Sequence, residues 1–339
     1  MMRELVEHIL RDLEQVRDSV LVSVVQSKGS TPRHVGAQML VSSEGLACAT
    51  IGGGTVEAHA ISLARDMVGQ GSWRMERIEL KPKGEKSLGM VCGGEASLLY
   101  TPICANGLMW RQVAEGLLDC LENRRQAYLA LECPDDEEPF EGKVALLDAN
   151  GQLVAGECDH LPDCSDVPRR GSVVGGHFVM PARLPVRAIV FGGGHVGAAT
   201  VSALARVGFD CTVFECRSQF ATPQAHPDAH HVVLGDYHDI QASLTLDERD
   251  YVLIMTHGHT FDFAVLEQVL RRPPAYVGLM ASRRKIGVAR QQMLQAGISE
   301  ETFARVHTPI GLEIKAETPA EIAVSIAAEL ILHRASNGG

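Results

Sequence analysis

The sequence carries little positive charge and few aromatic side chains. Its 31 Lys and Arg residues are outnumbered by 42 Asp and Glu residues, which gives a formal net charge of −11, and aromatic residues make up 5% of the chain. Nucleic acids and anionic membranes attract basic protein surfaces. We therefore expect neither a nucleic acid nor a membrane as a partner.

Long apolar runs and paired cysteines are missing as well. No stretch reaches the roughly 18 to 20 apolar residues that span a bilayer, and Glu4, Glu7 and Arg11 interrupt the N-terminal segment where a signal peptide would be apolar. The nine cysteines are odd in number and form no Cys-x-x-Cys pair, which favours a reducing compartment over a disulfide framework. These absences predict a cytoplasmic protein.

The most informative stretch that is present begins at Val186, where an apolar strand pattern leads into G-x-G-x-x-G and then into a helical pattern. In a dinucleotide-binding fold, Gly192 would allow the turn, Gly194 would let a phosphate approach the backbone, and Gly197 would let the helix pack on the strand. Glu215 ends the next predicted strand, 23 residues after Gly192. A carboxylate at that spacing can accept hydrogen bonds from ribose hydroxyls, so we expect NAD(H) to bind better than NADP(H). The alternative is a Rossmann-like scaffold whose loop is rich in glycine for packing alone.

The position of this motif divides the chain. A chain of 339 residues normally holds two domains, and the Rossmann-type unit starts only at residue 186. We predict an α/β protein with an N-terminal α+β domain over residues 1–180 and a C-terminal Rossmann-like parallel-sheet domain over 186–339. Residues 155–185 sustain no hydrophobic period and are predicted to be a linker.

Three loops in the N-terminal half have the composition of ligand-binding loops. They are Gly29-Ser30-Thr31-Pro32-Arg33, Ile51-Gly52-Gly53-Gly54 and Val91-Cys92-Gly93-Gly94. Glycine lets the backbone approach a ligand closely. The thiol of Cys92 lies on such a loop, where it would be a soft ligand for a metal such as molybdenum or a nucleophile for sulfur transfer. A small buried hydrophobic residue is the alternative. Cysteines such as Cys211 and Cys216 have no comparable context and are interpreted as core or surface filler.

A histidine-containing loop follows a predicted strand of the C-terminal half. His257 and His259 lie in the segment Thr256–Asp262, at the edge where open α/β sheets bind ligands. The two imidazoles either hydrogen-bond a nucleotide or a pterin, or belong to an ordinary polar loop. Too few ligands converge in the sequence for a zinc site.

A basic segment, Ser282-Arg283-Arg284-Lys285, follows the next strand and begins a helix. Two guanidinium groups, an ammonium group and a helix N-terminus can then face one point, an arrangement that suits phosphate. The alternative is a solvated helix face. The spacing of Cys158, His160 and Cys164 matches no standard zinc motif, and that segment is interpreted as part of the linker.

Taken together, these motifs resemble those of the XdhC/CoxI family, the xanthine dehydrogenase accessory proteins of bacteria. The resemblance covers nearly the whole chain. It rests on the three N-terminal loops, an acid at Glu57, the glycine motif at Gly192–Gly197, T-H-x-H at Thr256–His259, Y-V-G-L-x-x-S-R-R at Tyr276–Arg284, T-P-I-G-L at Thr308–Leu312 and A-E-T-P-x-E-I-A at Ala316–Ala323. Many members have Asp where this chain has Gly258, so any role of that carboxylate is absent here.

The resemblance implies a chaperone rather than an enzyme, with no catalytic residue of its own. Such a chaperone binds a molybdopterin-type molybdenum cofactor, protects it while a cysteine desulfurase supplies the sulfido ligand, and inserts it into an apo molybdenum hydroxylase of the xanthine dehydrogenase type. We expect a homodimer. The cofactor can be the cytosine dinucleotide form, and a separate NAD is the other nucleotide considered.

The site residues implied by this resemblance fall in both halves of the chain. The loops expected to hold the pterin and the metal contribute Ser30, Thr31, Arg33, Gly52, Gly53 and Cys92, with Cys92 as the molybdenum ligand. The residues expected at the nucleotide are Gly192, Gly194, His195, Gly197, Glu215, His257, His259, Ser282, Arg283 and Arg284. The alternative function is an NAD(P)-dependent oxidoreductase in which His257 or His259 acts as acid or base.

Overall fold

The computed structural model describes residues 2–29, 34–79, 94–134, 138–182 and 184–336, without the side chain of Arg283. The chain folds as two units, Met1–Leu184 and Pro185–Gly339. Each unit has its own sheets and its own core. Within the described ranges, no helix is both long enough and apolar enough to cross a membrane.

The N-terminal unit contains two antiparallel sheets. The strands of the first are β1 (Ser19–Lys28), β2 (Gln38–Ser42), β3 (Gly45–Ala49), β4 (Arg74–Glu79) and β5 (Glu95–Ile103). The strands of the second are β6 (Ala127–Glu132), β7 (Val144–Asp148), β8 (Leu153–Gly156), β9 (Ser172–Val174) and β10 (His177–Pro181). Their spatial orders are β3-β2-β1-β5-β4 and β8-β7-β6-β10-β9.

Three helices of this unit cover the sheets: α1 (Met2–Glu14), α2 (Gly54–Met67) and α3 (Leu108–Glu122). The alternation of β1 explains its central place, because successive side chains of a strand point to opposite faces. Val20, Val22 and Val24 pack against α2, whereas Leu21 and Val25 join the core that contains α1, α3 and the second sheet. Both faces of β1 are therefore buried.

The linker predicted over residues 155–185 is wrong. Most of this segment is a folded part of the second sheet, since β9 and β10 lie within it and β10 pairs with β6. Phe178, Val179 and Met180 are buried. The strands β9 and β10 are short, three and five residues, which leaves too few residues for a sustained period to be seen.

The C-terminal unit is built on one parallel sheet. Its strands are β11 (Val186–Phe191), β12 (Phe209–Glu215), β13 (His231–Leu234), β14 (Tyr251–Ile254), β15 (Tyr276–Leu279) and β16 (Val306–His307). They lie in the order β13-β12-β11-β14-β15-β16, all parallel. This is the strand order of the dinucleotide-binding Rossmann fold. The direction in which successive strands are added to the sheet reverses between β11 and β14. The predicted fold class is confirmed.

Helices cover both faces of the parallel sheet. They are α4 (His195–Arg206), α5 (His259–Arg271), α6 (Arg283–Gln295), α7 (Glu300–Phe303) and α8 (Pro319–Ser336), with a short 3-10 helix at Ile240–Ala242. Ile189 and Phe191 of β11 pack on the side of α5 and α6, and Ala188 and Val190 pack on the side of α4 and α8. Burial on both faces is typical of a parallel sheet.

Candidate functional site

The predicted nucleotide residues of the C-terminal unit gather at one edge of the parallel sheet. Gly192 follows β11, Glu215 ends β12, His257 follows β14, and Ser282 follows β15. The carboxyl ends of parallel strands share one edge, and ligands of open α/β sheets bind in the crevice where the strand order reverses. Here the reversal lies between β11 and β14, directly beside the glycine motif.

The three motif glycines differ in what surrounds them. At Gly192, with φ +118°, a Cβ would lie 2.3 Å from the carbonyl oxygen of Met255. At Gly197 it would lie 1.9 Å from the carbonyl oxygen of Gly192. At Gly194 a Cβ would meet no atom within 4 Å. The first and third glycines are therefore required by the turn and by helix packing, while the second borders open space.

The N-terminus of α4 faces this open space without a side-chain cap. Gly194 is the N-cap residue and makes no side-chain capping bond, and the exposed His195 begins the helix. The first N–H groups of a helix have no partner within it and carry the positive end of the helix dipole. An uncapped helix start at this position can accept an anion.

The carboxylate of Glu215 is bound within the protein. Oε1 accepts hydrogen bonds from the N–H and the Nε of Arg217, both at 2.9 Å, and Oε2 accepts from the N–H of Gly193 and the Nη2 of Arg217, both at 2.8 Å. Glu215 has no exposed surface. Burial alone would raise its pKa, but the hydrogen bonds and the charge of Arg217 lower the pKa to about 2.

This geometry contradicts the role predicted for Glu215 at a ribose. A carboxylate offers about four acceptor positions, and here Arg217 and Gly193 fill them. The N–H of Gly193 is occupied for the same reason. Glu215 therefore orders the glycine loop and holds a guanidinium group beside it, and it is not free to accept hydrogen bonds from a ribose diol.

Arg217 is a site residue that the sequence reasoning missed. Its guanidinium lies 4.2 Å above the ring of Phe220, and 29% of its side chain remains exposed. In the sequence, this residue could have been noticed as an arginine two residues after Glu215, the acid that ends the second Rossmann strand. Because the side chain returns to Glu215, it lies at the edge of the crevice.

Cys216 also lies at this edge. Its Sγ, a carboxylate oxygen of Glu215 and a ring nitrogen of His257 all lie within 4.8 Å of one another. Burial raises the pKa of the Cys216 thiol, and the neighbouring Glu215 raises it further. The three residue types can bind a metal ion, but a cation here would meet the positive charge of Arg217, which already uses the Glu215 oxygens.

The loop after β14 is organised by a buried carboxylate. Asp262 accepts hydrogen bonds from the N–H of Thr256 at 2.9 Å and from its hydroxyl at 2.7 Å, and it forms an ion pair with Lys285. The loop thereby presents His257 and His259 at the surface. The ring of His257 lies against Phe261, at 4.8 Å between centroids.

The basic segment does not present all of its charges to one point, and the prediction that it does is wrong in this respect. The ammonium group of Lys285 is bound to Asp262 and to the carbonyl oxygen of Met280. Ser282 is the N-cap of α6, accepting from the N–H of Lys285 at 3.4 Å. Arg284 is exposed. The ion pair of Lys285 with Asp262 therefore links α6 to α5. Among the described side chains of the basic segment, Arg284 keeps an exposed positive charge.

In the N-terminal unit, Glu57 shapes the loop that contains Gly52 and Gly53. Its Oε2 accepts hydrogen bonds from the N–H of Ile51 at 3.0 Å, from the N–H of Gly53 at 3.1 Å, and from the hydroxyl of Thr50. Burial raises the pKa of Glu57, but these hydrogen bonds outweigh it and the pKa is lowered. Gly52 and Gly53 both have positive φ, 126° and 75°, which glycine adopts without strain.

A cleft of about 330 Å³ lies at the ends of β1, β4 and β5. The residues that line it include Lys28, Glu79 and Glu95. In sequence these three flank residues 30–33 and 80–93. The predicted site residues Ser30, Thr31, Arg33 and Cys92 lie outside the described residues.

The family comparison matches both units. Residues 188–330 match the model of the XdhC Rossmann domain, and residues 13–79 match the model of the XdhC and CoxI family. A crystal structure described as a xanthine dehydrogenase from Bacillus halodurans superposes with a TM-score of 0.81 over 97% of this chain and 96% of that chain, at 23% identity. At this identity the superposition shows a shared fold.

Three relatives align with nearly the whole chain. The uncharacterized protein YqeB of Escherichia coli is 26% identical over 94% of this chain, which spans only 44% of that protein. A probable xanthine dehydrogenase subunit of Bacillus subtilis is 24% identical over 95% of both chains. The molybdenum cofactor insertion chaperone PaoD of E. coli is 25% identical over 97% of this chain and 87% of its own length. With both units matched by its models, this chain belongs to the XdhC and CoxI family.

Proposed function

We propose that this protein is a molybdenum cofactor chaperone. It binds the molybdopterin-type cofactor, protects it while a cysteine desulfurase supplies the sulfido ligand, and inserts it into an apo molybdenum hydroxylase of the xanthine dehydrogenase family. The observation that carries the proposal is the alignment with PaoD, a protein named as a molybdenum cofactor insertion chaperone, along 97% of this chain.

The N-terminal unit is assigned the pterin and the metal. Its glycine loop is held in shape by Glu57, which accepts hydrogen bonds from the N–H groups of Ile51 and Gly53, so the loop is ordered before a ligand binds. The cleft at the ends of β1, β4 and β5 offers polar and charged groups for a pterin. Cys92 is assigned as the molybdenum ligand because a thiolate is a soft donor suited to such a metal. Ser30, Thr31 and Arg33 are assigned to the same ligand.

The C-terminal unit is assigned a nucleotide with its phosphate group. The space beside Gly194 and the uncapped start of α4 suit a phosphate group. His195, His257, His259, Ser282, Arg283 and Arg284 are assigned to the rim of the same crevice. The cytosine dinucleotide form of the cofactor and a separate NAD are both ligands of this chemistry. We also propose that the protein acts as a homodimer.

Coexpression with a client hydroxylase tests the proposal. A molybdenum hydroxylase of the xanthine dehydrogenase type, produced in a host that makes molybdopterin, should gain activity and sulfurated cofactor when this chain is coexpressed. Client polypeptide levels serve as the control for expression. Equal client activity with and without this chain would contradict the proposal, and reduction of a carbonyl or imine substrate by NADH without molybdenum would favour the oxidoreductase instead.

A further inference from the structure

We propose that the crevice recognises a phosphate monoester at the end of β12, through Arg217, and not a ribose diol through Glu215. The inference rests on the proposed function only in taking the Rossmann crevice as a ligand site. It names the chemical class that this part of the crevice binds. It also removes the basis of the preference for NAD(H) over NADP(H) that the spacing of Glu215 predicts.

Glu215 has no free hydrogen-bond acceptor position. Arg217 and Gly193 donate four hydrogen bonds to its two oxygens, all between 2.8 and 2.9 Å. A ribose diol would have to displace some of these bonds. Two of them join the carboxylate to the charged guanidinium, and such bonds are among the strongest hydrogen bonds in proteins. A neutral hydroxyl group is a weaker competitor than the guanidinium it would replace.

Arg217 is held in place, and one edge of its guanidinium is free. Nε and Nη2 point to Glu215, and Phe220 covers one face of the guanidinium at 4.2 Å. Nη1 has no hydrogen-bond partner in the part of the chain that the structure describes. A guanidinium held in this way presents its remaining N–H groups in a defined direction, which suits a planar pair of phosphate oxygens.

The free edge of the Arg217 guanidinium lies beside the glycine loop and the start of α4. Oε2 of Glu215 accepts from both Nη2 of Arg217 and the N–H of Gly193, each at 2.8 Å, so the guanidinium lies next to the glycine loop. The uncapped start of α4 follows that loop, and its dipole adds to the attraction for an anion. The ring of His257 is also close, within 4.8 Å of Glu215. Since Arg217 neutralises Glu215, this carboxylate does not repel the phosphate.

Two sources can supply such a phosphate monoester. One is the 2′-phosphate of an adenine nucleotide of the NADP type. The other is the terminal phosphate of the pterin cofactor that carries no nucleotide. Both place a dianionic group with three terminal oxygens against Arg217, and the experiment separates them.

The test is titration calorimetry of the full chain with two probes, adenosine 2′,5′-bisphosphate and adenosine 5′-monophosphate, combined with pterin analysis of the purified protein. The test variant is the double substitution Glu215→Gln/Arg217→Ala, which avoids leaving a buried carboxylate unpaired. Arg217→Lys keeps the positive charge and removes the planar pair of N–H donors. The matched control is Arg249→Ala, because Arg249 also binds a carboxylate two residues earlier, Asp247, but precedes β14 at the opposite edge of the sheet.

If the source is an adenine nucleotide, the bisphosphate binds at least about ten times more tightly than the monophosphate. The double variant then loses that difference, Arg217→Lys keeps part of it, and Arg249→Ala keeps all of it. If the source is the pterin cofactor, the two adenosine probes bind equally weakly, and the double variant alone loses bound pterin. Either result supports the role of Arg217.

The proposal is overturned if the monophosphate binds as tightly as the bisphosphate and the double variant retains its pterin. Zinc binding that requires Cys216 and His257, with no response to either adenosine probe, would likewise replace the phosphate site by a metal site. Client activation is measured separately. A bisphosphate preference without client activation would reject the chaperone function and keep the role of Arg217. Client activation together with equal binding of the two probes and full pterin retention by the double variant would keep the chaperone function and reject the role of Arg217.

Discussion

At the scale of single residues, the carboxyl group of Glu215 stabilises the fold through its charge. Its pKa is lowered from the ordinary 4.5 to about 2, so between these values the unfolded chain binds the proton and the folded chain does not. The stabilisation is complete above about pH 4.5 and is lost as the pH falls toward 2. A shift of this size corresponds to a free energy on the order of 3 kcal/mol.

Glu215→Gln should therefore lower the free energy of unfolding by on the order of 3 kcal/mol at pH 7, and the difference from wild type should narrow below about pH 4.5. Urea denaturation of both proteins from pH 7 to pH 3 measures this. Asp247→Asn, at an exposed Arg–carboxylate pair, is the control and should show little change. A difference that stays constant across this range would contradict the assigned pKa.

Asp262 and Lys285 form the other ion pair on which the crevice depends. Asp262→Ala leaves the ammonium group of Lys285 and the N–H of Thr256 without their partner, and removing one member of a buried pair typically costs about 3 kcal/mol or more. Asp262→Ala/Lys285→Met should recover part of that loss. A double-mutant cycle is measured by thermal and urea unfolding of Asp262→Ala, Lys285→Met and the double variant. Additive losses would show that the two groups do not interact.

At the scale of elements, different glycines of the turn from β11 into α4 are needed for folding and for binding. Gly192→Ala and Gly197→Ala place a Cβ within 2.3 and 1.9 Å of carbonyl oxygens, so each should destabilise the protein by more than about 1 kcal/mol. Gly194→Ala meets no atom within 4 Å and keeps an ordinary φ of −76°. Its free energy of unfolding should lie within about 1 kcal/mol of that of wild type.

The same Gly194→Ala variant should weaken binding of adenosine 2′,5′-bisphosphate or retention of pterin, because the methyl group occupies the space left for the phosphate. Circular dichroism and calorimetry on one preparation give both readouts. Gly208→Ala, at the other end of α4, also borders open space but has φ +83°, so it controls for a loss of stability that leaves the crevice unchanged. Unchanged binding in Gly194→Ala would place the phosphate elsewhere.

The elements of the parallel sheet could be predicted from the sequence because their signals are local. Strands such as β11 are apolar runs followed by helices of ordinary length, and G-x-G-x-x-G fixes the turn between them. The strands after residue 155 could not. Residues 155–185 sustain no hydrophobic period and contain several glycines. A Cβ at Gly156 would lie 2.2 Å from the carbonyl oxygen of Val144, so this glycine is a packing requirement of the sheet.

The site was only partly predictable for a related reason. Sequence spacing placed Gly192, Glu215 and His257 at one sheet edge, because parallel strands bring their carboxyl ends together. It could not show that Arg217 folds back onto Glu215, or that Lys285 is bound to Asp262. Whether a charged side chain faces a ligand or a neighbouring charge depends on tertiary contacts that no periodicity encodes.

At the scale of the whole molecule, the proposed chaperone function depends on Cys92 as the ligand of the metal. Cys92→Ser replaces a soft, ionisable sulfur by a hard hydroxyl group of similar size. Retention of molybdenum and pterin should collapse, the client hydroxylase should accumulate inactive, and the thermal midpoint should stay close to that of wild type. The exposed Cys104 offers the matched control, since Cys104→Ser makes the same chemical change elsewhere in the unit.

Molybdenum and pterin content of the full chain, purified from a host that makes molybdopterin, is the most direct measurement. We predict that wild type and Cys104→Ser carry both components and that Cys92→Ser carries neither. Wild-type protein free of both, purified under conditions in which the client acquires active cofactor, would contradict the cofactor-binding function. Full retention by Cys92→Ser would leave the chaperone function in place and contradict the assignment of Cys92 as the molybdenum ligand.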